Sequence, residues 1–168
     1  ADQCILVEGY MDVLSLWQHG IKNVVATSGT SLTPEQIRRL RNYSQNLLMV
    51  YDADNAGQNA MMRGLDIALE QDLHVRLMHL PDGEDPDSFV QQFGAESFTE
   101  YTEKEARDFV RFMVENAEQT GTWNDPMGRK DVISRILASI ARVSDEVLKE
   151  SLMGHLARIS NIREQTLR

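Results

Sequence analysis

Leu47-Leu48-Met49-Val50-Tyr51-Asp52-Ala53-Asp54-Asn55-Ala56-Gly57 decides how the chain folds. A short apolar run reads as a strand, and the helical pattern that follows the glycine reads as the helix that carries the chain back across the sheet. Between them stand two acids at i and i+2. A pair with that spacing, leaving an extended segment, points both carboxylates to the same side. In α/β sheets ligands bind beyond the carboxyl ends of the strands, so Asp52 and Asp54 arrive where a site is expected.

Working outward, strands are predicted at 4–8, 23–27, 47–51 and 74–79, with helices at 11–19, 34–43 and 56–71 between them. This alternation yields parallel strands joined by crossover helices. Thr33, Pro34 and Gln36 form a capping-box start for the second helix, and Gly20 closes the first. Beyond residue 79 the loop Leu80-Pro81-Asp82-Gly83-Glu84-Asp85-Pro86-Asp87 breaks the pattern and no strand-like run follows. Helices are predicted at 88–93, 96–101, 104–119, 127–142 and 146–159. The expected architecture is an α/β domain over 1–101, with about four parallel strands flanked by helices, followed by an all-α annex over 102–168. The chain starts just before a strand and stops just after a new helix could begin, as an excised piece would.

Charge divides at the same place. The net charge of −9 comes entirely from residues 1–101, which hold 15 Asp and Glu against six Lys and Arg, while residues 102–168 hold 11 of each. Phosphate contacts need Lys and Arg, so the pattern argues against a simple nucleic-acid-coating surface. A concentration of acids fits a site that takes cations. Cys4 is the only cysteine, which rules out a disulfide and a cysteine-ligated zinc site within the chain. No apolar run reaches the roughly 20 residues that span a bilayer, so the expectation is a cytoplasmic protein with no membrane partner.

Six acids come from three strand ends: Glu8 after the first, with Asp12 four residues on, Asp52 and Asp54 after the third, and Asp85 and Asp87 after the fourth. Clustered carboxylates either share protons or bind cations. An all-oxygen set without Cys or His suits Mg²⁺ or Mn²⁺, and two such ions can assist phosphoryl or nucleotidyl transfer. The plainer reading makes them solvated acids at loop and helix starts. An EF-hand is excluded because Ala56 and Arg63 stand where it needs an oxygen ligand and a glutamate. The segment Ser28-Gly29-Thr30-Ser31 precedes a helix start and could hold phosphate through its backbone N–H groups, or be a plain turn. Arg38, Arg39, Arg41 and Arg63 could meet a template or nucleotide, against the reading of solvated helix positions. Trp17, Trp123, Met61 and Met62 read as packing residues.

Val7-Glu8-Gly9-Tyr10-Met11-Asp12-Val13, Ala26 to Ser31, Tyr51 to Gly57 and Leu80 to Asp87 together resemble the Toprim segment of DnaG-type bacterial primases, in that family's order and at about its spacing. The likeness is strong over 4–101 and looser in the annex. It implies catalysis by Glu8, Asp12, Asp52 and Asp54, and metal binding by Glu8, Asp52, Asp54, Asp85 and Asp87, with two or more Mg²⁺ or Mn²⁺ ions. It also implies nucleotide contacts at Ser28, Gly29, Thr30 and Ser31, and template contacts at Arg38, Arg41 and Arg63. The implied reaction joins ribonucleoside triphosphates into a short RNA primer on single-stranded DNA at the bacterial replication fork. The family's zinc module, its basic subdomain and its helicase-binding domain are expected to lie outside these residues. A Toprim nuclease and a non-catalytic Toprim assembly module are the alternative readings.

Overall fold

The computed structural model describes residues 2–27, 31–51 and 55–168, without the side chains of 55–58. Its first half follows the predicted alternation: β1 (Cys4–Val7), α1 (Tyr10–Gln18), β2 (Val24–Ala26), α2 (Pro34–Arg41), β3 (Asn46–Tyr51), α3 (Asn55–Glu70) and β4 (His74–His79). Then come α4 (Pro86–Glu105), β5 (Arg107–Asp108), α5 (Phe109–Gln119), a 3-10 turn (Thr122–Asn124), α6 (Pro126–Ile140), α7 (Glu146–Ser160) and a short α8 (Glu164–Leu167). The Thr33 hydroxyl accepts from Gln36 N–H at 3.3 Å while the Gln36 side chain accepts from Thr33 N–H at 3.0 Å, the capping box read from the sequence.

The sheet order is β2-β1-β3-β4-β5. The first four strands are parallel, and β5 is antiparallel to β4, pairing Asp108 with Arg76 and Arg107 with Leu77. This fifth strand corrects the expectation that nothing strand-like follows β4. With β2 on one side of β1 and β3 on the other, the chain reverses its direction of travel across the sheet between β1 and β3. That switch point opens a crevice at the carboxyl ends of those two strands.

Alternation along the strands divides the interior. Ile5 and Val7 of β1, Leu48 and Val50 of β3 and Met78 of β4 face α1 and α4, where they meet Leu16, Phe89, Val90 and Phe98. Leu6, Leu47, Met49, Tyr51, Val75 and Leu77 face the other way, into a larger core with α2, α3, α5, α6 and α7. The annex therefore shares a core with the sheet. Polar ties reinforce the join: Ser139 Oγ–H donates to Asp66 at 2.7 Å, and Asp72 accepts from Ser144 N–H and Asp145 N–H at 2.9 and 3.1 Å.

The two helices predicted at 88–93 and 96–101 are the limbs of α4. They meet at Gly94, whose φ of 83° and ψ of 170° lie outside helical space and suit a residue without a Cβ. The bend brings Phe98 and Tyr101 back onto Phe89, with ring centroids 5.9 and 5.3 Å apart. Trp17 departs from its predicted packing role: it is 51% exposed on α1, beside exposed Tyr10, Met11 and Leu14.

Candidate functional site

Glu8 follows the last residue of β1, and Thr27 the last residue of β2. Thr27 N–H donates to the Val7 carbonyl at 3.2 Å and Thr27 Oγ–H to the Glu8 carbonyl at 3.3 Å, which fixes the backbone at the mouth of the crevice. Glu8 shares its strand parity with Leu6 and so faces the α3 side. There it lines a cleft of about 190 Å³ with Thr27, Ser31, Leu32, Tyr51, Ala60 and Arg63.

Tyr51 ends β3 on the same side. Burial, and secondarily the charge of Glu8, push its hydroxyl pKa far above the ordinary value. The group stays a protonated O–H beside a carboxylate across any working pH. Gly64 on α3 lets the helix lie close to this wall, since a Cβ there would come within 2.8 Å of Met49 Cε and 3.4 Å of the Tyr51 hydroxyl oxygen. Tyr51 and Thr27 were not singled out as site residues in the sequence. The signal was present in their positions, each at the carboxyl end of a strand next to a motif.

Asp12 has a different task from Glu8. Its Oδ2 accepts from Gly9 N–H at 3.1 Å and its Oδ1 from Asp87 N–H at 3.3 Å, so one carboxylate holds the starts of both α1 and α4. Asp85 caps α4, accepting from Ser88 N–H at 2.7 Å. Asp87 accepts from the Gln91 side chain. The structure thus joins Asp12 to the Asp85–Asp87 loop, while Glu8 stands in the cleft with Ser31 and Arg63. Asp52, Asp54, Ser28, Gly29 and Thr30 lie outside the described residues. Among the described residues, no three His, Cys, Asp or Glu side chains gather closely enough to hold a metal ion. Arg38 and Arg41 are exposed on α2 and do not line the cleft.

His79, at the carboxyl end of β4, packs against Phe112 with ring centroids 4.7 Å apart, and burial lowers its pKa below the usual imidazole value. Burial thus favours its neutral form. None of the described helices is long and apolar enough to cross a membrane.

A sheet of order 2-1-3-4, an acid after β1 and an Asp-x-Asp segment after β3 define a class. The chain belongs to the Toprim-like family, whose model matches residues 5–90. Residues 110–165 match the DnaB-helicase binding domain of primase. The resemblance to DnaG-type primases holds across both regions. The DNA primase of Clostridium acetobutylicum is 37% identical over 99% of this chain, which covers 28% of that protein. A crystallised DNA primase domain from Pseudomonas aeruginosa superposes with a TM-score of 0.83 at 29% identity, over 99% of this chain and 53% of that one. A DnaG primase catalytic domain bound to single-stranded DNA gives 0.82 at 34% identity, over 99% and 53%. The chain therefore spans little more than a quarter of the length of the curated relatives it matches. The match over 110–165 corrects one expectation: the stretch described as helicase-binding is within these residues, not outside them.

Proposed function

We propose that this chain is the catalytic Toprim segment of a DNA primase, which joins ribonucleoside triphosphates into a short RNA primer on single-stranded DNA at the replication fork in the bacterial cytosol. The observation that carries the reading is Glu8 at the β1/β3 switch point, in a cleft that abuts the strand leading to Asp52 and Asp54. Residues 1–101 supply the chemistry, and residues 102–168 form the helical subdomain that braces the sheet and meets the helicase. A divalent cation, Mg²⁺ or Mn²⁺, held by Glu8, Asp52 and Asp54 would stabilise negative charge on the phosphoryl oxygens. The donor set fits such an ion, being all oxygen, with Glu8 half-buried.

The remaining work falls to side chains around the cleft. Arg63 is exposed at its rim, where it would meet a triphosphate, and Ser31, the last residue of the proposed phosphate-holding segment 28–31, also lines the cleft. Tyr51, protonated, adds no second negative charge beside Glu8. Asp12, Asp85 and Asp87 hold the loops that frame the opening and complete the acidic surface. With few cations on this region, the firm grip on the template belongs to other parts of the longer protein, and Arg38 and Arg41 add weak contacts.

The test is primer synthesis by the full-length protein on a single-stranded template. Glu8→Gln should cut product formation by about 10²-fold or more, with the thermal transition kept. Calorimetric Mn²⁺ binding by the parent should disappear in the Asp52→Ala, Asp54→Ala double variant. Shortened template with no primer would favour a Toprim nuclease. Full biological activity in Glu8→Gln would favour an assembly module.

A further inference from the structure

Away from the catalytic edge, the annex carries a groove of about 630 Å³ between α6 and the corner of α7 and α8. Trp123, Leu137, Ile162 and Leu167 give it an apolar floor. The charged residues lining it are Arg129 and Lys130, and among the described residues no carboxylate lines it. Three acids near the groove are already engaged. Asp125 caps α6 by accepting from Gly128 N–H at 2.7 Å, and Arg168 holds Glu150 and Glu164 at 2.6 and 2.7 Å.

Arg129 is held rigidly. Its guanidinium lies 4.9 Å over the Trp123 ring and donates to the Ser160 carbonyl. Its Nε–H is buried and has no acceptor among the described residues. A fixed cation next to an exposed lysine, beside an apolar floor, is complementary to a ligand that is apolar on one side and anionic on the other.

We propose that this groove seats an amphipathic helix of the partner helicase, apolar along the face that enters and acidic along the flank that meets Arg129 and Lys130. The inference rests on the reading that the annex meets the helicase, and it specifies where and by what chemistry. The groove falls almost wholly within the stretch matched to the helicase-binding model. A nucleic-acid strand would meet the same two cations, but the apolar floor offers its phosphates nothing.

The chain has two tryptophans, so Trp17→Phe leaves Trp123 as the sole reporter in the groove. Titrating the 168-residue Trp17→Phe chain with the replicative helicase of the same organism should shift and quench Trp123 emission. Lys130→Glu and Leu167→Asp should each weaken binding about tenfold with the thermal transition retained, and Lys130→Arg should restore it. Parental affinity in both variants with Trp123 emission unmoved overturns the groove and leaves the helicase partnership standing. No helicase binding by the parent chain removes that partnership and the groove proposal with it. A Trp123 response to a single-stranded oligonucleotide, but not to helicase, assigns the groove to nucleic acid and overturns the proposal.

Discussion

Ion pairs are shared unevenly between the α/β region and the helical annex. Within the annex several acids meet cations: Glu115 binds Arg107 and Arg111, and Arg168 bridges Glu150 and Glu164, while Asp108, Asp125 and Asp145 cap helix starts. In the α/β region, among the described residues, Arg39 with Glu35 is the ion pair that lies wholly within the region. Asp66 and Glu70 pair outward with Arg142 of the annex, Asp12 and Asp85 meet backbone N–H groups at helix starts, and Glu8 stands at the cleft. Paired charges fix helices to one another. Acids held by amides keep their negative charge at the sheet edge, where cations can be recruited.

That contrast in charge coexists with a shared core, and the largest expected effect tests the shared core. Phe109 is fully buried between the sheet and the annex helices. Phe109→Ala should cost about 3–5 kcal/mol in chemical denaturation. Far-UV dichroism and Trp123 fluorescence should move together, and two separated transitions would break the picture of a single unit. Gly64→Ala should cost about 1–2 kcal/mol, because the new methyl displaces Met49 at the wall of the cleft. A fall in primer synthesis beyond the loss of folded protein would show that Tyr51 has moved as well.

Asp12→Ala should destabilise the chain by about 1–2 kcal/mol through the loss of two amide acceptors. Faster hydrogen exchange at the Gly9 and Asp87 amides would report it directly, and unchanged exchange would mean that water replaces the carboxylate. Arg142→Ala should do least. Its pairs with Asp66 and Glu70 are half-exposed, so the loss is under about 1 kcal/mol and vanishes in molar salt. A larger, salt-independent loss would mean that the annex is held to α3 mainly by charge.

Much of this could be read from the sequence because it is local. The four parallel strands, the Thr33 capping box and the break at Gly94 each depend on residues within a few positions of one another. The position of Glu8 at the end of β1 was legible because a strand end is a local feature. β5 was not legible: Arg107 and Asp108 are poor strand formers, and pairing with Arg76 and Leu77 makes them one. The contact from Asp12 to the Asp87 amide spans 75 positions, so an acid within the motif gave no hint that it also holds α4. Trp17 was misread because α1 has a helical apolar pattern on more than one side, and only the packing of α4 decides which side is covered.

The two outer strands of the sheet have a consequence for handling the protein. β2 is three residues long, and β5 is two charged residues running against its neighbour. Neither margin presents a long row of open donors and acceptors on which a second molecule could continue the ladder. Concentrated solutions should therefore stay free of strand-swapped dimers and fibrils.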